Sequence, residues 1–361
     1  MWEVSPRFLN ALTAPHRVVT VATVTPPSAD PVTLQLEGGS VSADSGANYR
    51  RTGTLSLLGG QDTYEALTAP GAIVHIDHGI SFGNDQELVP VFHGEIESAS
   101  QGFGDSTLTC RVVDLNKRVD RTRFLTPFSP SSSATRAATI TGIIQAARPG
   151  TEVVNVSTDT GTVGSVVFDE SRIEAVKDLS RDGAMEAFWL PDGRYQIRQQ
   201  LDLSSPPVWT IVPGRRGVLK SAERSRPMDK MYNTVVVRPS ATDGSQTWTQ
   251  QVVQITDMSH PRHPDKIGVV PYFWASPTAS SAAVAREAGQ GILSRVLGTT
   301  ESLDLGLLSN PALEAGDPIR VVTPQIGREV PQLFSHYLDS FTLDLMSGDM
   351  QARTRSQVSD V

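Results

Sequence analysis

The chain has 361 residues, 39% of them apolar, and its 31 Lys and Arg against 39 Asp and Glu give a formal charge of −8. That length predicts two or three domains at about 100–200 residues each. No run of about 18 apolar residues is present to span a bilayer, and the Lys and Arg residues are too scattered to neutralise a row of phosphates, so neither membrane insertion nor specific nucleic-acid binding is expected.

The N-terminus, Met1-Trp2-Glu3-Val4-Ser5, lacks the basic and apolar regions of a secretory signal. Residues from about 15 to 124 then read as strand after strand. Val18 to Val24 and Val32-Thr33-Leu34-Gln35-Leu36 come first, with Gly38-Gly39 and Ser45-Gly46 as punctuation. Arg51 to Leu57, Ile73 to Asp77, Val89 to Glu97 and Ser106 to Val113 alternate apolar with polar residues. Short strands at close spacing predict a small barrel or sandwich over 1–124. The single cysteine, Cys110, excludes an intrachain disulfide and reads as a buried small hydrophobe, consistent with folding in a reducing cytoplasm.

Phe124 to Ser133 is Pro/Ser-rich and reads as a connection into a second unit over 125–212. Ile140, Ile143, Ile144 and Ala147 share one helical face, and Arg148-Pro149-Gly150 stops that helix. Ser171-Arg172-Ile173-Glu174 matches a capping box opening a second helix that ends at Asp182-Gly183. Met185 to Trp189 and Tyr195 to Arg198 form a hairpin around Pro191-Asp192-Gly193. This unit is α+β.

Strands return over 213–361. Met231 to Arg238 and Thr247 to Ile255 suit a hairpin around Ala241-Thr242-Asp243-Gly244. An alanine-rich helix follows from about Pro277 to Leu297, inserted before strands at Ser302–Leu307, Pro318–Val322 and Tyr337–Leu345. The tail from Met350 reads as polar and loose. No residue-level repeat between 15–124 and 213–345 is evident. The predicted class is mainly β with α+β insertions: two small β-barrel domains linked by an α+β domain.

Four stretches carry a resemblance: Val91-Phe92-His93-Gly94-Glu95-Ile96, Cys110-Arg111-Val112-Val113-Asp114, Tyr232-Asn233-Thr234-Val235-Val236-Val237, and Asn310-Pro311 through Val322. In this order they resemble the hub proteins at the tip of phage tails and, more distantly, the late control protein of contractile phages and the base of type VI secretion spikes. The resemblance implies a homotrimer whose three chains supply six related barrels, matching a six-fold tail tube to a three-fold tip around the DNA channel. It implies a virion structural protein, made in the host cytoplasm and located at the tail tip. Its partners would be a distal tail ring protein, the tape measure protein and tail fibre or tip proteins. No cofactor, metal or catalytic residue is expected. The acidic charge suits a passage that repels phosphate.

Other candidate residues carry weaker readings. His75, Asp77 and His78 lack a third ligand on one face; Asp257, His260 and His263 lie in a loop stiffened by Pro261 and Pro264. Glu314 and Asp317, in one polar turn, are expected to be solvated or bonded to nearby backbone N–H groups rather than opposed across a substrate cleft. For subunit or partner contact the candidates are Tyr272, Phe273 and Trp274 with the helix positions Ala282, Ala285 and Ala288. Two rival readings remain: a tail-associated cell-wall hydrolase and a carbohydrate-binding β-protein.

Overall fold

The computed structural model describes residues 1–201, 205–225, 232–239, 248–276, 279, 281–297, 301–323 and 332–356. The Ala241–Gly244 turn of the sequence reading lies outside these residues, as do Met231, Thr247 and Pro277 at the ends of its predicted segments. Helix α1 (Pro6–Ala11), capped by Ser5, leads into β1 (Arg17–Thr25), β2 (Val32–Asp44) and β3 (Arg51–Leu58). Helix α2 (Gln61–Thr68) separates these from β4 (Ile73–Ser81), β5 (Gln86–Gln101) and β6 (Thr107–Asp114). Next come α3 (Asn116–Arg121), α4 (Arg136–Ala147), β7 (Val153–Asn155), α5 (Arg172–Asp182), β8 (Met185–Trp189) and β9 (Tyr195–Gln199). The remainder holds β10 (Trp209–Ile211), β11 (Leu219–Ser225), β12 (Thr234–Pro239), β13 (Gln251–Gln254), α6 (Pro264–Ile267), β14 (Pro271–Ser276), α7 (Ala282–Leu297), β15 (Glu301–Leu308), β16 (Pro318–Thr323), β17 (Gln332–Asp344) and β18 (Asp349–Ser356).

The class is mainly β with helical insertions. The sequence reading expected two small β-barrel domains linked by an α+β domain; the pairings give one continuous sheet of twelve strands that contains two closed circuits. Its first half closes on itself: β1 pairs with β2 and β4, and the circuit runs β1-β2-β3-β6-β5-β4-β1. The second half repeats the circuit as β10-β11-β15-β18-β17-β16-β10, with a Pro213–Leu219 bridge joining β10 to β11. Five of the six strands match in direction. The first does not, since β10 runs parallel to β16 while β1 runs antiparallel to β4.

Register makes the repeat visible at residue level. The second strand of each ring carries a bulge after the same leucine, between Leu36 and Gly38 and between Leu219 and Ser221. The fifth strand does likewise, between Ile96 and Ser98 and between Leu338 and Ser340. Aligned on these bulges, Ile96-Glu97-Ser98-Ala99-Ser100 faces Leu338-Asp339-Ser340-Phe341-Thr342, and Arg111 of β6 matches Arg353 of β18. The rings are fused where β2 pairs antiparallel with β17, from Ser340↔Asp44 to Asp344↔Ser40. One core, including Leu55, Leu57, Val112, Leu305, Leu307 and Met350, runs through both.

Two further units hang on this frame. The sheet β7-β9-β8 packs with α3, α4 and α5 around Ile140, Ile144, Leu179, Trp189 and Tyr195. Here Ser171 Oγ accepts from Glu174 N at 3.3 Å, but the Glu174 carboxylate turns to Lys177 instead of back to the cap, so only half of the expected capping box forms. The sequence reading placed the strands near 231–255 with the second barrel and took the alanine-rich helix alone as the insertion. The structure puts them together: β13-β12-β14 is a sheet of its own, with α7 on one face.

Three other expectations change. Gly38-Gly39 lies inside β2 and does not end it; at Gly39 (φ +147°) a methyl group would meet Thr54 O at 2.7 Å, so the strand crosses β3 there only because the side chain is missing. As far as Ser356 the tail is not loose, since β18 lies between β17 and β15 with Met350 and Thr354 buried; residues 357–361 lie outside the described residues. Helix α2 was not expected after Gly59-Gly60, because only Leu67 of its residues is fully buried and its periodicity is correspondingly weak.

Gly94 lies so close to β6 that a methyl group would sit 2.1 Å from Val113 O, whereas one on Gly142, in the middle of α4, would meet nothing. Gly94→Ala is therefore expected to lower stability in urea melts by about 1–3 kcal/mol or more, and Gly142→Ala to raise it by about 0.5–1 kcal/mol.

Candidate functional site: the buried ionic junction

The turn Ser45–Tyr49 delivers two consecutive arginines, Arg50 and Arg51, to the start of β3, and both are buried. The stretch 309–319 runs buried from end to end and brings Glu314 onto them. Arg51 clamps the carboxylate with its two terminal guanidinium nitrogens, at 3.1 Å and 2.6 Å, and Arg50 Nε donates to it at 3.0 Å. Arg50 also donates to Ala315 O. Its guanidinium lies 3.6 Å from the centre of the Phe188 ring on β8, and Arg198 of β9 covers the same ring at 5.0 Å. Arg198 pairs with Glu186 at 2.9 Å. Gly316, at φ +86°, has no room for a methyl group between Arg198 and Glu186, which explains the glycine there.

Other resemblance motifs converge on the same arginines. Val91 O accepts from Arg51 Nε at 3.1 Å, and Asp114 accepts from the Arg51 and Asn116 backbone N–H groups at 2.9 Å and 3.0 Å. Burial pushes Asp114 up to about 6 against those hydrogen bonds. Burial would raise Glu314 as well, but Arg51 and Arg50 overcome it and hold the carboxyl at about 2. Asp317 is shifted upward by burial, opposed by the Met1 amino group 2.8 Å away, and accepts from Glu314 N. The expectation of a solvated Glu314–Asp317 turn is thus corrected: Glu314 is 4% and Asp317 1% exposed, because each charge finds its partner inside the fold. The backbone bond from Glu314 N is the part of that reading that holds.

The fourth motif organises the small sheet. Asn233 is fully buried, donates to Arg262 O and Gly268 O, and accepts from Val270 N, fastening the 256–270 loop to β12. In that loop Asp257 accepts from Ser259, His260 from Arg262 N and His263 from Asp265 N, so these side chains close local turns.

A cleft of about 690 Å³ opens beside the junction, lined by Arg50, Glu186, Asp44, Asp339, Arg353 and Arg355 among others. Its carboxylates are engaged: Glu186 by Arg198, Asp339 by Arg355 at 2.7 Å, and Asp44 by the Gly46 N–H. His75 contacts Asp77 at 3.2 Å and the ring of His93 at 3.4 Å, a neighbour that the sequence reading did not include; His78 is buried against Thr20 Oγ1. Among the described residues no group of three or more His, Cys, Asp or Glu is arranged to hold a metal. Cys110 is fully buried, and burial pushes its thiol up to about 12.

The six contact candidates divide. Trp274 and Ala285 are buried in the core under α7, and Ala282, Ala288 and Tyr272 pack against it. Phe273 points the other way, 54% exposed, beside Arg238. Sequence reasoning missed Arg50 and Arg51; two adjacent arginines at the head of a strand of small and apolar residues were the available signal.

No protein-family model and no curated protein sequence matches the chain. Solved structures do share its fold. The tail protein from Neisseria meningitidis MC58 superposes with a TM-score of 0.64 at 14% identity, over 93% of this chain and 96% of that one. The 43 kDa tail protein of prophage MuSo2 from Shewanella oneidensis gives 0.62 at 11% identity, over 93% and 98%. A component of the E. coli type VI secretion system, described as structurally similar to the T4 tail proteins gp27 and gp5, gives 0.54 at 9%, over 93% and 77%. The resemblance to phage tail and type VI proteins therefore holds across nearly the whole fold.

Replacing Glu314 by Gln leaves the buried Arg51 without its ion-pair partner and Arg50 with only the Glu186 carboxylate at 3.8 Å, at an expected cost of about 3–5 kcal/mol. Because its folded pKa lies below the unfolded carboxyl value of about 4.3, Glu314 stabilises fully above that pH, and this contribution is lost as pH falls towards 2. Urea midpoints from pH 7 to pH 2 should show that acid-side loss in the parent chain and not in Glu314→Gln.

Proposed function

We propose that this chain is a structural component of a phage tail tip: a homotrimeric hub that joins a six-fold tail tube to a three-fold tip around the DNA channel. The observation that carries the reading is the repeated ring. One chain presents the same strand circuit twice, fused edge to edge, so three copies offer six near-equivalent rings to a six-fold neighbour. The fold shared with tail proteins supports the setting. The formal charge of −8 suits a channel wall that does not hold phosphate.

In this reading the work is done by shape and buried area. The distal tail ring protein and tape measure protein would meet one end of the assembly, and fibre or tip proteins the other. Among the six contact candidates, Phe273 keeps that role, because with Val252 it forms an exposed apolar pair on the sheet face away from α7. A wall-cleaving glycosidase would need two carboxyls facing each other across an open cleft; Glu314 is instead consumed by two arginines, and the carboxylates of the cleft are engaged.

Light scattering over a wide concentration range, with electron microscopy of the same sample, tests this. A mass of three chains and rings with an open centre are expected. A chain that stays monomeric and binds sugars, or that clears bacterial wall material until Glu314 is replaced, would falsify the hub reading.

A further inference from the structure

The junction between the two rings also specifies how one molecule meets the next. Inside the chain, the second strand of the first ring (β2) lends its outer edge to the fifth strand of the second ring (β17). It does so beyond the bulges, where β17 has run past its last partner on β16, Pro318↔Tyr337. The same two slots occur once more, with the roles exchanged. β11 is the second strand of the second ring, and among the described residues no strand pairs with its outer edge beyond the bridge at Leu219. β5 is the fifth strand of the first ring. It runs past its last β4 partner, Ile73↔Glu95, and among the described residues no strand pairs with that side of Ile96–Gln101.

We infer that the Arg224–Ser225 end of β11 in one molecule pairs antiparallel with Ser100–Gln101 of β5 in a second copy of this chain, in the register set by β2 and β17. The bulges fix the correspondence. Ser40 and Ser42 of β2 match Glu223 and Ser225 of β11, and Ser340 and Thr342 of β17 match Ser98 and Ser100 of β5. Within the chain, Ser42 lies opposite Thr342 and their hydroxyls bond at 2.8 Å. Between copies this places Ser225 opposite Ser100, a second hydroxyl pair. Both are exposed, as is every β11 residue after Leu219. Where Val41 lies opposite Leu343 in the internal junction, the equivalent position on β5 is Gln101, so the contact between copies is the more polar of the two. Such a contact is head-to-tail: it joins different surfaces, and it closes into a ring or grows into a fibre according to the rotation per step. Closure at three copies rests on the hub reading, whereas the strand pairing does not. The competing account of β11 is an edge kept solitary by its charged residues Lys220, Glu223 and Arg224.

Two single variants of the full chain, Ser100→Cys and Ser225→Cys, separate these accounts; the native Cys110 is buried and does not interfere. Each variant is oxidised alone and in an equal mixture at high concentration, after its melt has been matched to the parent. The mixture should yield at least about tenfold more disulfide-linked dimer than either variant alone, because only the opposed pair brings Cβ atoms near disulfide distance. A mixture no better than its components overturns the pairing. If the parent forms trimers and the mixture fails, this register is wrong and the hub reading stands. If the mixture cross-links but the double variant gives open ladders longer than three, the pairing stands and the trimeric hub fails.

Discussion

The grip of Arg50 and Arg51 on Glu314 is the interaction on which the other units are arranged. The arginines belong to the first ring, the glutamate to a loop of the second, and Glu186, Phe188 and Arg198 to the α+β unit between them. Three pieces of chain far apart in sequence thus meet at one buried charge. Equal-volume apolar replacements often match a buried ion pair in stability, so the cluster's contribution is chiefly positional. A guanidinium fork accepts a carboxylate in few geometries, and any slip of one unit leaves a charge buried without its partner.

That constraint also explains how a polar loop comes to lie inside the molecule. Buried loops are disfavoured because their backbone groups go unpaired. Here Trp2 N donates to Ala312 O, Gly316 N to Leu338 O and Leu338 N to Asp317 O, while Arg50 and Arg198 both reach Ala315 O. The loop behaves as an irregular extra layer stitched between β17, the N-terminal segment and the hairpin β8–β9.

Much of this fold was legible in the sequence wherever a single period governed a segment. The strands near 51–57, 73–77, 89–97 and 106–113, the helices at Ile140–Ala147 and Ser171–Asp182, and the 185–198 hairpin all follow from local alternation and stop signals. Legibility failed where distant residues decide. Nothing near Glu314 announces two arginines some 260 residues earlier. Met350 to Ser356 looks polar because its strand alternates Gln351, Arg353 and Arg355 outward against Met350, Ala352 and Thr354 inward, and the inward set is short. The duplication was hidden for a similar reason. Its signature is a pair of bulges at matched places, and a bulge is defined by the partner strand. Once register is known, Ile-Glu-Ser-Ala-Ser and Leu-Asp-Ser-Phe-Thr are seen to be one pattern.

Duplication alone would make every ring-to-ring contact alike, and a chain of like contacts has no reason to prefer its internal junction over an external one. The connections between strands break that equivalence. Between the third and fourth strands, the second ring carries the loop with Glu314, whereas the first ring carries α2, which turns Leu67 into the ring's own core. The ionic lock can therefore form only where the first ring's arginines meet the second ring's loop, inside one molecule. A contact made by the same strand slots between molecules has the sheet hydrogen bonds without the lock. Such a contact is weaker, and so open to adjustment during assembly, while the two rings of each chain remain fixed as a pair.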